Sequence, residues 1–300
     1  MTALFPGSRE FRHRAGPVEI FARVIGSGPP LLLIHGFPQT HAMWHRVAPQ
    51  LAQHFTLVMP DLRGYGLSSC PENDAQNRSY SKRAMAEDMI SLMAALGHRR
   101  FAVVGHDRGG RVGYRLALDR PDAVQCLTVL DIVPTYAMWH GFTVKLAMKT
   151  YHWLFLAQPH PLPEMLIAGA PAAYLDYTLA SWTKTKNLEA FDPSALAEYR
   201  QHYATPEHIH ATCNDYRAGQ TYDLAADEAD HAAQRRIACP VQALWGTAGI
   251  PSETGGPLAA WQPWCTKLEG HGIDSGHFVA EENPAGTLAQ LLPFLRAHGV

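Results

Sequence analysis

The chain has 300 residues, 47% of them hydrophobic and 17% charged, with a formal net charge of −2. That is enough apolar material for one large folded unit, or a unit with an inserted lid, and too little charge for a disordered chain. The near-neutral balance removes the electrostatic case for binding nucleic acid or an anionic membrane, and no apolar run is long enough for a membrane span.

The opening MTALFPGSREFRHRAG has no apolar h-region before a small-residue cleavage site, so a cytoplasmic location is expected. VEIFARVIG (18–26) and LLLIHGF (31–37) read as strands, and FTLVMPDLRGYG (55–66) as a strand running into a turn-rich loop. MAEDMISLMAALG (85–97) has helical spacing and stops at a glycine. RRFAVVGHD (99–107) is a buried strand ending in a carboxylate, and RVGYRLALDRP (111–121) is a helix closed by Pro121. AVQCLTVLDIVP (123–134) is a further strand, with Asp131 near its carboxyl end.

After Pro134 the rhythm changes. Residues 135–232, rich in aromatics, Ala, His and Pro, read as short helices without a strand. The beat resumes at CPVQALWG (239–246) and TKLEG (266–270), and closes with the helix NPAGTLAQLLPFLRAHG. This alternation predicts an α/β fold, a mostly parallel sheet covered on both faces. Residues 1–134 and 233–300 would form the core, with 135–232 inserted as a helical cap. Ligands bind such sheets beyond the carboxyl ends of the strands, where a cap leaving from a strand end would cover them.

Five cysteines, Cys70, Cys126, Cys213, Cys239 and Cys265, are scattered without a CxxC pair, which predicts reduced thiols. Seventeen histidines include His202, His208 and His210, but none stands in an HExxH or zinc-ribbon spacing. No metal and no other cofactor is expected.

Gly105-His106-Asp107-Arg108-Gly109 has the spacing Gly-x-nucleophile-x-Gly, between a buried strand and a helix. That context exposes the central side chain on a strained turn. A plainer reading makes Asp107 a helix cap. An aspartate there has its own chemistry. Ionised near neutral pH, it can displace a leaving group from saturated carbon and form an enzyme ester.

Four segments carry a resemblance: HGFPQTHAMWHRVAP (35–49), PDLRGYGLS (60–68), VVGHDRGGRVGYRLALDRP (103–121) and SGHFVAEENP (275–284). Together they resemble the α/β-hydrolase superfamily, in its aspartate-nucleophile branch, over essentially the whole chain. The resemblance implies the α/β-hydrolase fold with Asp107 as nucleophile and His277 as base. It also implies an oxyanion hole made by the N–H groups of Phe37 and Arg108. Many members carry the third acid in a W-G-x-x-D pattern, but here LWGTAGIP puts Gly249 at that place. Asp131 is the expected substitute, ahead of Glu253 and Asp274.

Dehalogenation and epoxide opening both suit such a nucleophile. Related haloalkane dehalogenases and epoxide hydrolases place a tryptophan directly after it, whereas this chain has Arg108, with Arg111 three residues on. Residues three apart share a helix face, and guanidinium forks match carboxylates, so both arginines are expected to bind a substrate carboxylate. The DRGGR run further resembles the haloacetate dehalogenases, including those acting on fluoroacetate.

That closer resemblance implies a small 2-haloacid substrate and halide donors from YHWLFLAQP (151–159) and CNDYRAG (213–219), namely His152, Trp153 and Tyr216. It also implies a homodimer. Trp182 is expected to line the pocket, and His106 to be structural. Two alternatives stay open. One is an epoxide hydrolase using Tyr216 and a second cap tyrosine as acids. The other is a ligand-binding protein on a hydrolase fold, against which the set Asp107, Asp131 and His277 argues.

Overall fold

Eight segments pair into one sheet in the computed structural model, which describes residues 4–253 and 256–298, with the backbone alone at 252 and 253. They are β1 (Arg9–Ala15), β2 (Val18–Ile25), β3 (Pro30–Ile34), β4 (Thr56–Pro60), β5 (Phe101–His106), β6 (Val124–Leu130), β7 (Ile237–Gly246) and β8 (Cys265–Ile273). Their order across the sheet is β1-β2-β4-β3-β5-β6-β7-β8. The pairs β1/β2 and β2/β4 are antiparallel, and every other pair is parallel.

Every residue of β5, and all of β3 after its first, is buried. Continuous apolar runs such as LLLI and FAVV are what strands covered on both faces require. Helix Arg108–Asp119 is buried from Arg108 to Leu118 and packs on β3, β5, β6 and β7. Helix Lys82–Ala95 starts at a Ser81 cap that accepts from the Ala84 N–H and packs against it.

β1 lies outside the strands read from the sequence. Its REFRHRA is a charged, exposed edge, so the apolar alternation that marks a half-buried strand is missing. The helix after β5 starts at Arg108, three residues earlier than its apolar pattern suggested, because Gly109 and Gly110 hide the first turn.

Between β6 and β7 the chain makes eight helices from Thr135 to Ala232 and no strand. Strand order reverses at β3 and β5, since β4 lies to one side of β3 and β5 to the other. Such a switch point opens a crevice beyond the strand ends, and Phe37 and Asp107 follow those two strands. Among the described residues no helix is long and apolar enough to cross a membrane. The five cysteines are all free thiols.

Candidate active site

Asp107 sits at the turn from β5 into helix Arg108–Asp119 with φ 46° and ψ −115°. This is a strained conformation for a residue with a side chain, costing roughly 1–3 kcal/mol. The flanking glycines make it feasible. A Cβ on Gly105 would lie 2.4 Å from the Gly109 carbonyl oxygen, and one on Gly109 would lie 2.3 Å from the carbonyls of Ile34 and His35. Strand, turn and helix therefore touch backbone to backbone. Asp107 makes no side-chain cap to its helix, so the capping reading does not apply.

The two oxygens of Asp107 differ. Oδ2 accepts the Phe37 N–H at 2.9 Å, while Oδ1 accepts no hydrogen bond from a described residue. Arg108 opens its helix, so its N–H is one of the first-turn donors that lack an intrahelical partner. Burial pushes the Asp107 carboxyl up, but His277, Arg108, His106 and Arg111 outweigh it and hold the group below its usual range. Asp107 is therefore held as a carboxylate.

His277 Nδ1 donates to Asp131 Oδ2 at 2.6 Å, which leaves Nε2 as the basic nitrogen. Nε2 is buried and has no hydrogen-bond partner. Burial disfavours the imidazolium, yet the bond and charge of Asp131, with Asp107 behind, hold the His277 pKa above its usual value.

Asp131 follows β6 with φ 52°, and its Oδ1 accepts the Gly246 N–H at 2.8 Å. Gly249 faces this carboxylate: a Cβ there would lie 2.5 Å from Asp131 Oδ1. Of the substitutes weighed, Asp274 is exposed and paired with Lys184. The Glu253 side chain lies outside the described residues. His106 Nε2 donates to the His277 carbonyl at 2.9 Å, and burial, with His277 nearby, pushes its pKa down to about 3. It is a neutral support beneath His277.

Asp107, Arg111, Asp131, His152, Trp153, Trp182 and His277, with apolar Ile132, Val133 and Met138, wall a cavity of about 30 Å³. That is room for about two waters. A second cavity of about 260 Å³ shares Trp182, Ile250 and His277 with it and is edged by Met148, Tyr151 and Tyr177.

His152 is buried with Nδ1 unpartnered, and burial pushes its pKa down to about 3, so it faces the cavity as a neutral donor. The Trp153 and Tyr216 N–H and O–H groups make no hydrogen bond to another described residue. The Tyr216 ring stands edge-on to Phe37 at 5.5 Å and to Trp153 at 6.2 Å, behind the cavity wall. Burial, with the nearby Asp107 charge, keeps its phenol protonated.

The two arginines part company. Arg111 lines the cavity with its guanidinium 4.5 Å from the Trp153 ring. Its Nη1 donates to the Val133 carbonyl and Thr135 Oγ1, its Nε is buried and unpartnered, and no described carboxylate pairs with it. A buried cation without a counter-ion is costly.

Arg108 departs from the expectation of two free forks. Its Nε and Nη2 donate to Asp215 at 3.0 and 2.6 Å, because the helix Pro206–Gln220 lays that carboxylate beside it. Nη1 alone makes no hydrogen bond to a described residue. Asp215, Lys82 and Tyr65 carry no motif that marks them in the sequence. The only signal was an acid immediately before Tyr216.

The histidines singled out in the sequence lie in ordinary contacts or in one small cluster. His208 Nε2 is engaged with the Gly66 carbonyl. His160, Glu164 and His210 do gather, but Arg217 already forks Glu164 at 2.8 and 3.0 Å and neutralises it.

Residues 29–284 match the profile of the alpha/beta hydrolase fold family. The chain is 43% identical over 292 residues to a fluoroacetate dehalogenase from Burkholderia sp, covering 97% of this chain and 95% of that protein. It is 33% identical over 274 residues to a soluble epoxide hydrolase from Corynebacterium sp. (strain C12), covering 90% and 91%. A protein from Nostoc sp PCC 7120, solved as a candidate alpha/beta hydrolase, superposes with a TM-score of 0.94 at 45% identity over 97% of this chain and 99% of that one. With the profile spanning most of its length, and with relatives matched nearly end to end, the chain belongs to the α/β-hydrolase fold family.

Proposed function

We propose that this protein hydrolyses the carbon–halogen bond of a small 2-haloacid, such as fluoroacetate or chloroacetate, to the 2-hydroxy acid and halide. The observation that carries the reading is Arg111, a buried cation with no carboxylate partner among the described residues, facing the same small cavity as Asp107. An anionic substrate supplies the missing counter-charge. The Burkholderia fluoroacetate dehalogenase lends the reading its second support.

Asp107 Oδ1, the oxygen left free by the Phe37 bond, attacks the halogen-bearing carbon from behind. A carbon–oxygen bond forms, and halide leaves with the electron pair of the broken bond. His152, Trp153 and Tyr216 are the donors at hand for the departing halide. Charge-assisted bonds of ~1.5–3 kcal/mol each matter most for fluoride, a poor leaving group.

In the second half, His277 Nε2 takes a proton from water, and the hydroxide adds to the Asp107 carbonyl carbon. The developing oxyanion is Oδ2, already at the Phe37 N–H and beside the first turn of helix Arg108–Asp119. Collapse breaks the carbonyl carbon–Oδ1 bond, the proton held on His277 Nε2 passes to the departing Oδ1, and the hydroxy acid leaves with that oxygen, while Asp107 sheds the proton of the added hydroxide and is again a carboxylate. The helices from 135 to 232 act as the cap that keeps bulk water out.

Epoxide hydrolysis is the second reading, favoured by the Corynebacterium relative. Against it, the cavity is walled by the buried cation Arg111, which a neutral epoxide does not match. Halide release from fluoroacetate, chloroacetate and a neutral haloalkane, run beside diol formation from an epoxide, separates the two. Preference for the haloacids is expected. Preference for the neutral haloalkane or for the epoxide rejects the reading. A single turnover in heavy-oxygen water should label Asp107 and leave the first product unlabelled.

A further inference from the structure

Asp215 lies fully buried on helix Pro206–Gln220, outside the cavity wall, one residue before Tyr216. Its carboxylate takes the Nε and Nη2 edge of Arg108, and its backbone carbonyl accepts Nη2 again at 2.9 Å. Tyr65 Oη donates to Oδ2 at 2.7 Å, and Lys82 Nζ donates to Oδ1. Lys82 also meets Asp223 Oδ2 at 3.5 Å, so two cations and two carboxylates close a neutral group within the protein.

One turn further along the helix, a Cβ on Gly219 would lie 3.1 Å from Arg108 Nη2. The guanidinium therefore rests close against this helix, with its carbon 4.3 Å from the centre of the Tyr216 ring. Such a held fork cannot swing. Its Nη1 alone makes no hydrogen bond to a described residue.

We propose that Asp215, braced by Lys82 and Tyr65, is a positioning residue for substrate: it fixes Arg108 so that a single guanidinium nitrogen meets the substrate carboxylate. This rests on the reading above, in which Arg108 and Arg111 bind that carboxylate. It adds that half of the grip is set by a helix of the 135–232 segment. Arg108 then acts by direction and Arg111 by uncompensated charge.

The test is a double-mutant cycle on fluoroacetate turnover, with KM and kcat read separately and folding checked by thermal melts. Asp215→Asn keeps the shape but turns a donor towards Arg108. It should raise KM by about tenfold or more, as expected for losing a bond between charged groups, and change kcat less. Tyr65→Phe removes one bond to the same carboxylate without stranding a charge, and should raise KM by about threefold. It is read alone if Asp215→Asn does not fold. Arg108→Met leaves the backbone N–H in place and should raise KM on its own. In that background neither second change should move KM by more than about twofold.

Equal effects of the second changes with and without Arg108 would overturn the proposal. So would a lowered melting temperature with KM unmoved, which is what a purely structural role gives. If Arg108→Met leaves KM unchanged, the carboxylate-binding reading itself fails, and that result is distinct from the other two.

Discussion

The Asp131 carboxylate occupies the space that a side chain at residue 249 would need, with Oδ1 2.5 Å from where a Cβ on Gly249 would stand. Two neighbouring strands can thus present an acid to the same histidine, but not both at once. Asp131→Asn should slow hydrolysis of the enzyme ester by roughly 10³–10⁴, the scale seen when a buried triad acid is neutralised. Ester formation should be spared, so the adduct should accumulate and be visible by intact-protein mass. Gly249→Asp alone should be inactive. Combined with Asp131→Gly it should recover part of the lost turnover, and no recovery would mean that the space is not equivalent.

Arg111 carries an unpartnered Nε in a buried setting, and burial lowers the pKa of its guanidinium. Function and stability should therefore separate at this position. Arg111→Met should raise KM for fluoroacetate by about a hundredfold while the unliganded protein melts at the same temperature or higher. Glycolate, the product of the proposed reaction, should raise the melting temperature of the parent protein only. A variant less stable than the parent would indicate that Arg111 is held by contacts other than ligand.

The pH dependence has a definite sign. His277 must be neutral to accept a proton, and its pKa lies above the usual histidine value because Asp131 outweighs burial. Ester hydrolysis should fall as pH drops through that raised value, with a midpoint above ~6.5. Asp107 lies below the usual carboxylate range, so the alkylation half should stay flat over the same interval. Rapid-quench measurement of each half-reaction tests this, and a midpoint below ~6.5 would contradict the geometry.

Behind the oxyanion loop, Glu281 is fully buried beside Gln39 and accepts the Tyr199 hydroxyl at 3.1 Å. Burial pushes its carboxyl up to about 8. A carboxyl with a raised folded-state pKa is protonated in the native protein while the unfolded chain has already released its proton. Stability must then decline as pH rises from the unfolded value towards about 8. Glu281→Gln should remove most of that decline, so its melting temperature should exceed the parent's at pH 9 and approach it at pH 5. Parallel curves would assign the decline elsewhere.

Much of this site is legible in the sequence because it depends on backbone constraints with short signatures. Gly105 and Gly109 advertise the turn around Asp107, and buried runs such as LLLI and FAVV advertise the central strands. Asp131 can be reached by noticing that Gly249 lacks an acid, a clue that works because strand ends are close in space. The Arg108–Asp215 contact has no such mark. Its partners come from residues 65, 82, 108 and 215, and an aspartate inside a polar helix looks like any solvated one until that helix is placed. Charge compensation is a tertiary property, so spacing alone could suggest two forks on one helix face but not which was already taken. The exposed edge β1 escaped notice for a related reason, since a strand held only by its neighbour's backbone needs no apolar code.

The ties between the nucleophile's helix and the layer above it have a mechanical consequence. Arg108 is pinned by Asp215, and further along the same helix Arg115 is bonded to Asp227 and Asp230. Hinging that layer upward would strand several desolvated ions together, a motion far costlier than shifting a few apolar groups. Movement of that layer is therefore opposed along Arg108 and Arg115, while Met148, Tyr151 and Tyr177, whose side chains face solvent, edge the second cavity that adjoins Trp182 and His277.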